Sequence, residues 1–238
     1  MTLQVLDDVD SVARHAAELI ATEARSAVSA RGGFTLAISG GRTPWVMLRM
    51  LSARDDVPWP NVHVLQVDER VAPAGHADRN LTHLRDSLLA GRQADAVQTC
   101  AMPVESPDLD QAVRTYAESL AELGGSPPVL DLVHLGLGPD GHTASLVPGD
   151  PVLDITDADV ALTGLYQGRR RMTLTYPILN RARRVLWLIT GEDKADMLAR
   201  LYRGDPGIPA GRVRQDQAVV IADRAAAQRL ESPRPIGE

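Results

Sequence analysis

The chain has 238 residues, of which 44% are hydrophobic and 24% are charged, a balance typical of a globular protein with a packed core. Its formal net charge of −6 and its single cysteine, Cys100, argue against a nucleic-acid partner and exclude an internal disulfide. No apolar run approaches the roughly 20 residues that span a bilayer, and no signal peptide is apparent. We therefore expect one cytoplasmic domain over residues 1–238, with no membrane contact.

Helical and strand-like patterns alternate along the first half of the chain. Apolar residues recur at spacings of three and four from Asp10 to Ala30 and predict a helix, whereas the run from Phe34 to Ile38 predicts a strand. The same patterns predict, in order, a helix at 45–51, a strand at 62–67, a helix at 81–89, a short strand at 97–102 and a helix at 109–123. This alternation is typical of α/β proteins with parallel strands.

The second half opens with the most informative stretch, residues 130–149. The apolar run from Leu130 to Leu137 predicts a buried parallel strand, and a turn rich in glycine then leads to Asp140 and His142. Because ligands bind at the carboxyl ends of such strands, the two side chains are candidates for a general base and its partner. A capping aspartate beside a surface histidine is the simpler alternative. Further strands are predicted at 160–165, 172–175, 185–189 and 219–221, and helices at 177–182, 192–202 and 223–230.

Two other predicted strands also end in polar residues. The strand at 34–38 is followed by small and hydroxyl residues at the start of a helix, where free N–H groups favour an anion: Ser39, Gly40, Gly41, Arg42 and Thr43. The strand at 62–67 is followed by Asp68, Glu69 and Arg70, which must pair or face a polar ligand if they are buried. A plain strand-to-helix turn and a solvated loop are the respective alternatives.

Basic residues later in the chain are candidates to neutralise an anion. Lys194 lies in the first turn of a predicted helix, where a lysine is unfavourable for the helix dipole unless an anion binds there. The run from Arg169 to Arg171 leads into a predicted strand close to the candidate site, although most charge runs are only solvated.

Four segments carry a family resemblance: SGGRTP at 39–44, VDERVAPAGHADRN at 67–80, LGLGPDGHTASLVPG at 135–149, and RMTLTYPILN with LITGEDKADML at 171–198. In this order and spacing they resemble the 6-phosphogluconolactonases of the bacterial and eukaryotic cytosolic type. The DGHTASL segment is the most specific, whereas SGGxTP and TGxxK are shared with glucosamine-6-phosphate deaminases. Arg42, Arg79 and Val147 depart mildly from the usual residues of the family and remove no candidate catalytic group.

The resemblance implies a three-layer α/β fold with a mostly parallel sheet, of the modified Rossmann type. It also implies hydrolysis of 6-phosphoglucono-δ-lactone to 6-phosphogluconate, the second step of the oxidative pentose phosphate pathway. The implied partner is this small sugar-phosphate lactone. The resemblance implies that the reaction needs neither a cofactor nor a metal. We expect a monomer or a small homo-oligomer.

Carried onto this chain, the resemblance makes His142 the general base that activates water and makes Asp140 its orienting partner. Arg70 would receive the charge that develops on the carbonyl oxygen, or else contact the phosphate. Arg171 is the first choice as a phosphate arginine and Arg183 the second. The residues expected to bind substrate are Ser39, Gly40, Gly41, Arg42, Thr43, Asp68, His76, Asn80, Arg171 and Lys194.

Two rival functions are weaker on the same residues. A glucosamine-6-phosphate deaminase would use Asp68, but Arg70 replaces the tyrosine usual in that family, and residues 144–146 lack its acidic side chain. A non-catalytic sugar-phosphate sensor usually carries a DNA-binding helix-turn-helix ahead of the domain, and the single amino-terminal helix predicted here leaves no room for one.

Overall fold

The computed structural model describes residues 1–90 and 96–230 and has the expected α/β architecture. Its helices are α1 (Val9–Arg31), α2 (Arg42–Ser52), α3 (Asn80–Ser87), α4 (Leu109–Gly124), α5 (Tyr176–Arg181), α6 (Ala195–Tyr202) and α7 (Arg224–Ala227). Its strands are β1 (Thr2–Leu6), β2 (Phe34–Ile38), β3 (Val62–Gln66), β4 (Asp68–Arg70), β5 (Gln98–Cys100), β6 (Leu132–Leu135), β7 (Val160–Leu162), β8 (Arg171–Leu174), β9 (Arg184–Ile189) and β10 (Ala218–Asp223). The parts of the predicted domain at 91–95 and 231–238 lie outside the described residues.

A seven-stranded parallel sheet forms the middle layer, in the order β1-β10-β9-β6-β2-β3-β5. All five residues of β2 are buried, as expected for a strand covered on both faces. One apolar core lies on each face: α1, α2 and α3 contribute to the first, and α4, α5 and α6 to the second. Within the described residues, no helix is long and apolar enough to cross a membrane.

The long helix α1 shows how local sequence sets the boundaries of these elements. The Asp8 carboxylate accepts a hydrogen bond from the Ser11 backbone N–H and caps the start, and Gly32 ends the helix in the left-handed region with φ 81°. Between the caps, a stripe of small and branched apolar residues packs on the sheet: Val12, Ala13, Ala16, Ala17, Ile20, Ala21, Ala24 and Ala27. The predicted helix from 10 to 30 is confirmed.

Two strands differ from the sequence prediction. No helix or strand is predicted for residues 2–6, yet they form β1 at the sheet edge, because they pair in parallel with β10. Residues 68–70 are neither a loop nor solvated. They form β4, which pairs antiparallel with β8 in a small second sheet of order β4-β8-β7. This sheet places Arg70 directly opposite Arg171.

Helix lengths differ from the prediction mainly at their ends. Helix α2 begins three residues earlier than predicted, at Arg42, because Gly41, with φ 139°, turns the chain directly into the helix. The predicted helix at 192–202 divides into a 3-10 turn, Glu192–Lys194, followed by α6. Helix α7 covers only residues 224–227 of the span predicted at 223–230.

Candidate active site

The polar segments singled out above meet at the carboxyl edge of the sheet. They follow β2, β3, β6 and β9, which are consecutive neighbours in the order β9-β6-β2-β3. The carboxyl ends of parallel strands lie at the same edge, so segments far apart in sequence are brought side by side.

Asp140 and His142 form a hydrogen-bonded pair just beyond β6. The ring Nδ1 of His142 lies 2.5 Å from Asp140 Oδ1, and the backbone N–H of His142 donates to the same oxygen at 3.1 Å. Gly138 makes this geometry possible, because a Cβ at that position would collide with the imidazole ring and with the Asp140 carboxylate. The backbone N–H of Gly138 also donates to the carbonyl of His142 at 2.8 Å and closes the turn.

The pair is arranged to leave one ring nitrogen of His142 available. Burial acts to raise the pKa of Asp140, but the hydrogen bonds from the ring and backbone of His142 outweigh it, and the pKa lies below its ordinary value. An ionised carboxylate accepts, so Nδ1 carries the proton and Nε2 has a free lone pair. Within the described residues, Nε2 makes no hydrogen bond, and the His142 side chain lines a cavity.

The Asp68 side chain is held in place by neutral hydrogen-bond donors. Its carboxylate accepts hydrogen bonds from Ser145 Oγ at 2.7 Å, from Ser39 Oγ at 3.3 Å and from Asn80 Nδ2 at 3.3 Å. The residue is only 3% exposed, so it depends on these donors in place of water. Asp68, Ser39 and Asn80 are predicted site residues, whereas Ser145 lies in the DGHTASL segment and has no predicted role.

Glu69, the residue next to Asp68, has a structural role. Its carboxylate accepts hydrogen bonds from the backbone N–H groups of Asn80 and Leu81 at the start of α3, each at 2.8 Å. It also pairs with Arg79 Nε at 3.0 Å, and both side chains are almost fully buried. Of the charged triplet at 68–70, the middle residue therefore anchors α3, while its two neighbours face the cavity.

Arg70 and Arg171 stand side by side across the second sheet. Arg70 donates to Asn80 Oδ1 at 2.9 Å, and Arg171 donates to Gln167 Oε1 at 3.0 Å and to Ser145 Oγ at 3.5 Å. Burial, followed by the charge of Arg70, lowers the pKa of Arg171. Like charges on opposite positions of a strand pair are destabilising, so a bound anion would stabilise this arrangement.

Two adjoining cavities surround His142. The first, of about 150 Å³, is lined by Ser39, Gly40, Gly41, Asp68, Arg70, Asn80, Gly136, Leu137, His142, Ala144 and Arg171. The second, of about 270 Å³, is lined by residues 40–44, 136–139, His142, 188–190 and Lys194. Because both include Gly40, Gly41 and His142, the histidine lies where the two cavities meet.

The second cavity brings Lys194 to the loop at 39–43, as the sequence analysis expects. The hydroxyls of Thr43 and Thr190 lie 2.7 Å apart and join this loop to the end of β9. Lys194 is 21% exposed at its side chain and pairs with Asp193 at 2.8 Å. The Arg42 side chain is exposed at the rim.

Two predicted site residues lie elsewhere. Arg183, the second choice for a phosphate arginine, precedes β9, so its backbone is at the amino edge of the sheet, where its Nε lies 3.4 Å from Asp131. This edge is opposite the one that carries His142 and Lys194. His76 contacts Arg169 at 3.2 Å and lines neither of the two cavities that His142 lines. The Arg169 side chain that His76 contacts is itself paired with Asp78 at 2.8 Å.

Tyr166 is the main residue of this region that sequence reasoning missed. It lies in the turn between β7 and β8, and its hydroxyl donates to Asp140 Oδ2 at 3.3 Å. No motif marks it, since a single tyrosine in a turn has no sequence signal. Within the described residues, no group of three or more His, Cys, Asp or Glu side chains is placed to hold a metal ion.

Comparisons with known proteins identify the family of the chain. A model of the family "Glucosamine-6-phosphate isomerases/6-phosphogluconolactonase" matches residues 7–222. A 6-phosphogluconolactonase of Synechocystis is 35% identical over 89% of this chain and 90% of its own. The crystal structure of a 6-phosphogluconolactonase from Shewanella baltica is 26% identical, with a TM-score of 0.81 and coverage of 94% of this chain and 97% of its own.

The fold alone is shared more widely. A solved monomeric glucosamine-6-phosphate deaminase has a TM-score of 0.81 at 18% identity, covering 96% of this chain and 100% of its own. At that identity the likeness concerns architecture, which confirms the predicted three-layer α/β fold. The match over residues 7–222 and the relative at 35% identity go further, and the chain belongs to the family of glucosamine-6-phosphate isomerases and 6-phosphogluconolactonases.

Proposed function

We propose that this chain hydrolyses 6-phosphoglucono-δ-lactone to 6-phosphogluconate, the lactone-opening step of the pentose phosphate pathway, with His142 as the general base. The observation that carries the proposal is the position of His142, the partner of Asp140, where two cavities of different character meet. One holds the adjacent guanidinium groups of Arg70 and Arg171, and the other holds Lys194 and the start of α2. A phosphorylated lactone needs one anion site for its phosphate and a second for the negative charge that develops on the oxygen of the reacting carbonyl.

His142 would begin the reaction from Nε2. That nitrogen takes a proton from a water molecule, and the water oxygen attacks the lactone carbonyl carbon. Asp140 keeps Nδ1 protonated, holds the ring in place and stabilises the imidazolium that forms. The bond between the carbonyl carbon and the ring oxygen then breaks, and the imidazolium returns its proton to that oxygen. The products are a free hydroxyl and a carboxylic acid, which releases the second proton of the water to solvent and becomes a carboxylate.

Arg70 and Arg171 would receive the negative charge on the carbonyl oxygen. Both guanidinium groups are in place before substrate binds, and a preorganised donor stabilises a developing oxyanion without reorganising. Each also has a buried Nε for which the described residues provide no acceptor. The lactone carbonyl and, after ring opening, the product carboxylate fit these donors.

The substrate phosphate would occupy the second cavity. Helix α2 begins at Arg42, directly after the two glycines, so its first N–H groups and its dipole favour an anion there. Lys194 supplies a full positive charge at the same cavity. In this proposal the phosphate contacts Lys194 and the carbonyl oxygen contacts the arginine pair, which differs from the expectation that Arg171 contacts the phosphate.

The deaminase alternative lacks an acid where its chemistry needs one. Ala144 lines the first cavity and the next residue, Ser145, donates to Asp68, so no carboxylate comes from this segment. Glucosamine 6-phosphate is therefore a fair control substrate, and we expect no ammonia release from it.

The test is a hydrolysis assay on the purified protein, with rates read above the spontaneous opening of the lactone. We expect rapid hydrolysis of the phosphorylated δ-lactone, much slower hydrolysis of unphosphorylated gluconolactone and no deamination. The same assay after dialysis against a strong chelator tests the expectation that no metal is required. Deamination of glucosamine 6-phosphate without lactone hydrolysis would overturn the proposal.

A further inference from the structure

The turn between β7 and β8, which carries Tyr166, has a well-defined backbone geometry. Tyr166 and Arg169 exchange two backbone hydrogen bonds, at 2.9 and 3.2 Å, and the two residues between them, Gln167 and Gly168, have φ of 51° and 77°. This is the geometry of a tight hairpin turn with both central residues in the left-handed region. The turn is therefore a defined structure, able to hold a side chain in a fixed direction.

Two side chains that follow Tyr166, those of Gln167 and Arg169, secure the turn to the rest of the molecule. Gln167 Oε1 accepts a hydrogen bond from Arg171 at 3.0 Å, and Arg169 Nε pairs with Asp78 at 2.8 Å. The first contact joins the turn to β8, and the second joins it to the segment before α3. A non-glycine residue with positive φ is uncommon and indicates a conformation that its surroundings impose.

Tyr166 uses this support to contact both members of the Asp140–His142 pair. Its hydroxyl donates to Asp140 Oδ2 at 3.3 Å, whereas Oδ1 of the same carboxylate is occupied by the ring and backbone of His142. Its ring meets the His142 ring edge-on, with centroids 5.7 Å apart and planes at 64°. The other ring contact is cationic: the Arg171 guanidinium lies 4.9 Å from the ring centroid.

We propose that Tyr166 is a positioning residue for the lactonase reaction: it holds the Asp140 carboxylate by its second oxygen and thereby keeps His142 Nε2 directed into the cavity. Without the hydroxyl, the carboxylate can rotate about its bond to Cβ, and the imidazole loses its fixed support. The proposal rests on the proposed function, because it assigns Tyr166 a part in that reaction.

The hydroxyl can be removed without disturbing the charges that surround the pair. The charged groups lining the same cavities as His142 are Arg42, Asp68, Arg70, Arg171 and Lys194, and Tyr166→Phe leaves all of them in place. The phenyl ring also keeps its contacts with His142 and Arg171. Tyr202→Phe is the matched control, because Tyr202 is 46% exposed at the end of α6.

The experiment measures kcat and KM for the phosphorylated lactone from pH 5 to pH 8 in the wild type and both variants. For Tyr166→Phe we expect kcat about three- to tenfold lower and KM within about twofold. A lower kcat at nearly unchanged KM is the expected signature, because the hydroxyl orients the Asp140–His142 pair and does not contact the substrate. Tyr202→Phe should match the wild type in every respect.

A third variant, Tyr166→Leu, separates the hydroxyl from the ring. It should show a larger loss of kcat/KM than Tyr166→Phe, because the contact with Arg171 is lost as well. Wild-type kcat in Tyr166→Phe would overturn the positioning role, even with the wild type fully active. Absence of any lactone hydrolysis by the wild type would instead overturn the proposed function, and the role of Tyr166 with it.

Discussion

The two edges of the parallel sheet carry similar side chains and use them differently. At the amino edge, Asp131 accepts hydrogen bonds from the backbone and hydroxyl of Thr35, at 2.9 and 3.1 Å, and from Arg31 at 2.7 Å. Arg183 lies close by, and a cavity of about 230 Å³ also includes His63. An aspartate, arginines and a histidine thus meet here, as they do at the opposite edge.

The two edges differ in whether their charged side chains have partners within the chain. Asp131 is satisfied by partners from its own chain, and its arginines pair with it. At the carboxyl edge, His142 Nε2 and the Nε groups of Arg70 and Arg171 are left without acceptors or donors among the described residues. Arg70 and Arg171 face the cavity that His142 lines, whereas Arg31 and Arg183 are paired with Asp131. This difference distinguishes the candidate site from the structural cluster at the amino edge.

The largest expected effect comes from the histidines of the two edges. His142→Asn should keep the fold and lower kcat for the phosphorylated lactone by about 10²–10⁴, because the general base is removed. His63→Asn, the matched change at the amino edge, should keep kcat within about twofold. Steady-state assays of both proteins, with circular dichroism to verify folding, make the comparison. Equal losses in the two variants would contradict the distinction between the edges.

Lys194 tests whether the carboxyl edge binds the phosphate of the substrate. Lys194→Ala removes a charge that contacts phosphate in both the ground state and the transition state, so KM should rise with a smaller change in kcat. The loss in kcat/KM should be about ten- to hundredfold for the phosphorylated lactone and close to nothing for unphosphorylated gluconolactone. Similar losses on the two substrates would place Lys194 at the carbonyl or in the fold.

A third histidine, His134, lies inside the sheet and should control stability rather than activity. It is fully buried on β6, neither ring nitrogen has a partner among the described residues, and burial lowers its pKa to about 3. In the unfolded chain this histidine takes up a proton near pH 6.5, whereas in the folded chain it does so only near pH 3. The free energy of unfolding therefore falls as the pH drops from 6.5 toward 3, by about 2 kcal/mol between pH 7 and pH 5.

The variant His134→Leu tests this linkage. Urea unfolding at pH 7 and pH 5 should show that the difference in unfolding free energy between the two pH values shrinks by about 2 kcal/mol relative to the wild type. The same subtraction for His63→Asn provides the control. If His134→Leu keeps the full pH dependence, other groups are responsible for it.

The smallest expected effect belongs to Arg183→Ala. Arg183 is 52% exposed and shares Asp131 with Arg31, so its loss should change the unfolding free energy by less than about 1 kcal/mol. Its kcat/KM on the phosphorylated lactone should stay within twofold of the wild type. A selective rise in KM for the phosphorylated lactone would return Arg183 to the phosphate site.

Much of this division between the edges could be predicted from sequence. Apolar runs identified most central strands, because β2, β6 and β9 are buried on both faces. Loops that follow neighbouring strands must converge, so the proximity of the Ser39 loop, His142 and Lys194 was predictable. Residues 2–6 were missed because β1 is an edge strand, whose pattern is weak until β10 pairs with it.

The remaining errors concern side chains whose place depends on tertiary pairing. Arg183 was the second choice after Arg171, and it lies at the amino edge because it directly precedes β9. The charge triplet at 68–70 could not be divided before Arg79 was found to pair with Glu69. Tyr166 reaches Asp140 through a turn whose direction no local pattern encodes.

The most direct test of the distinction between the edges is a titration of isotope-labelled protein with 6-phosphogluconate, followed by the amide signals in nuclear magnetic resonance spectra. We predict shifts that saturate together for Gly40, Gly41, His142 and Lys194, at the carboxyl edge, with the signals of Arg31, Asp131 and Arg183 unmoved. Saturating shifts confined to the amino-edge residues would contradict the assignment of the site.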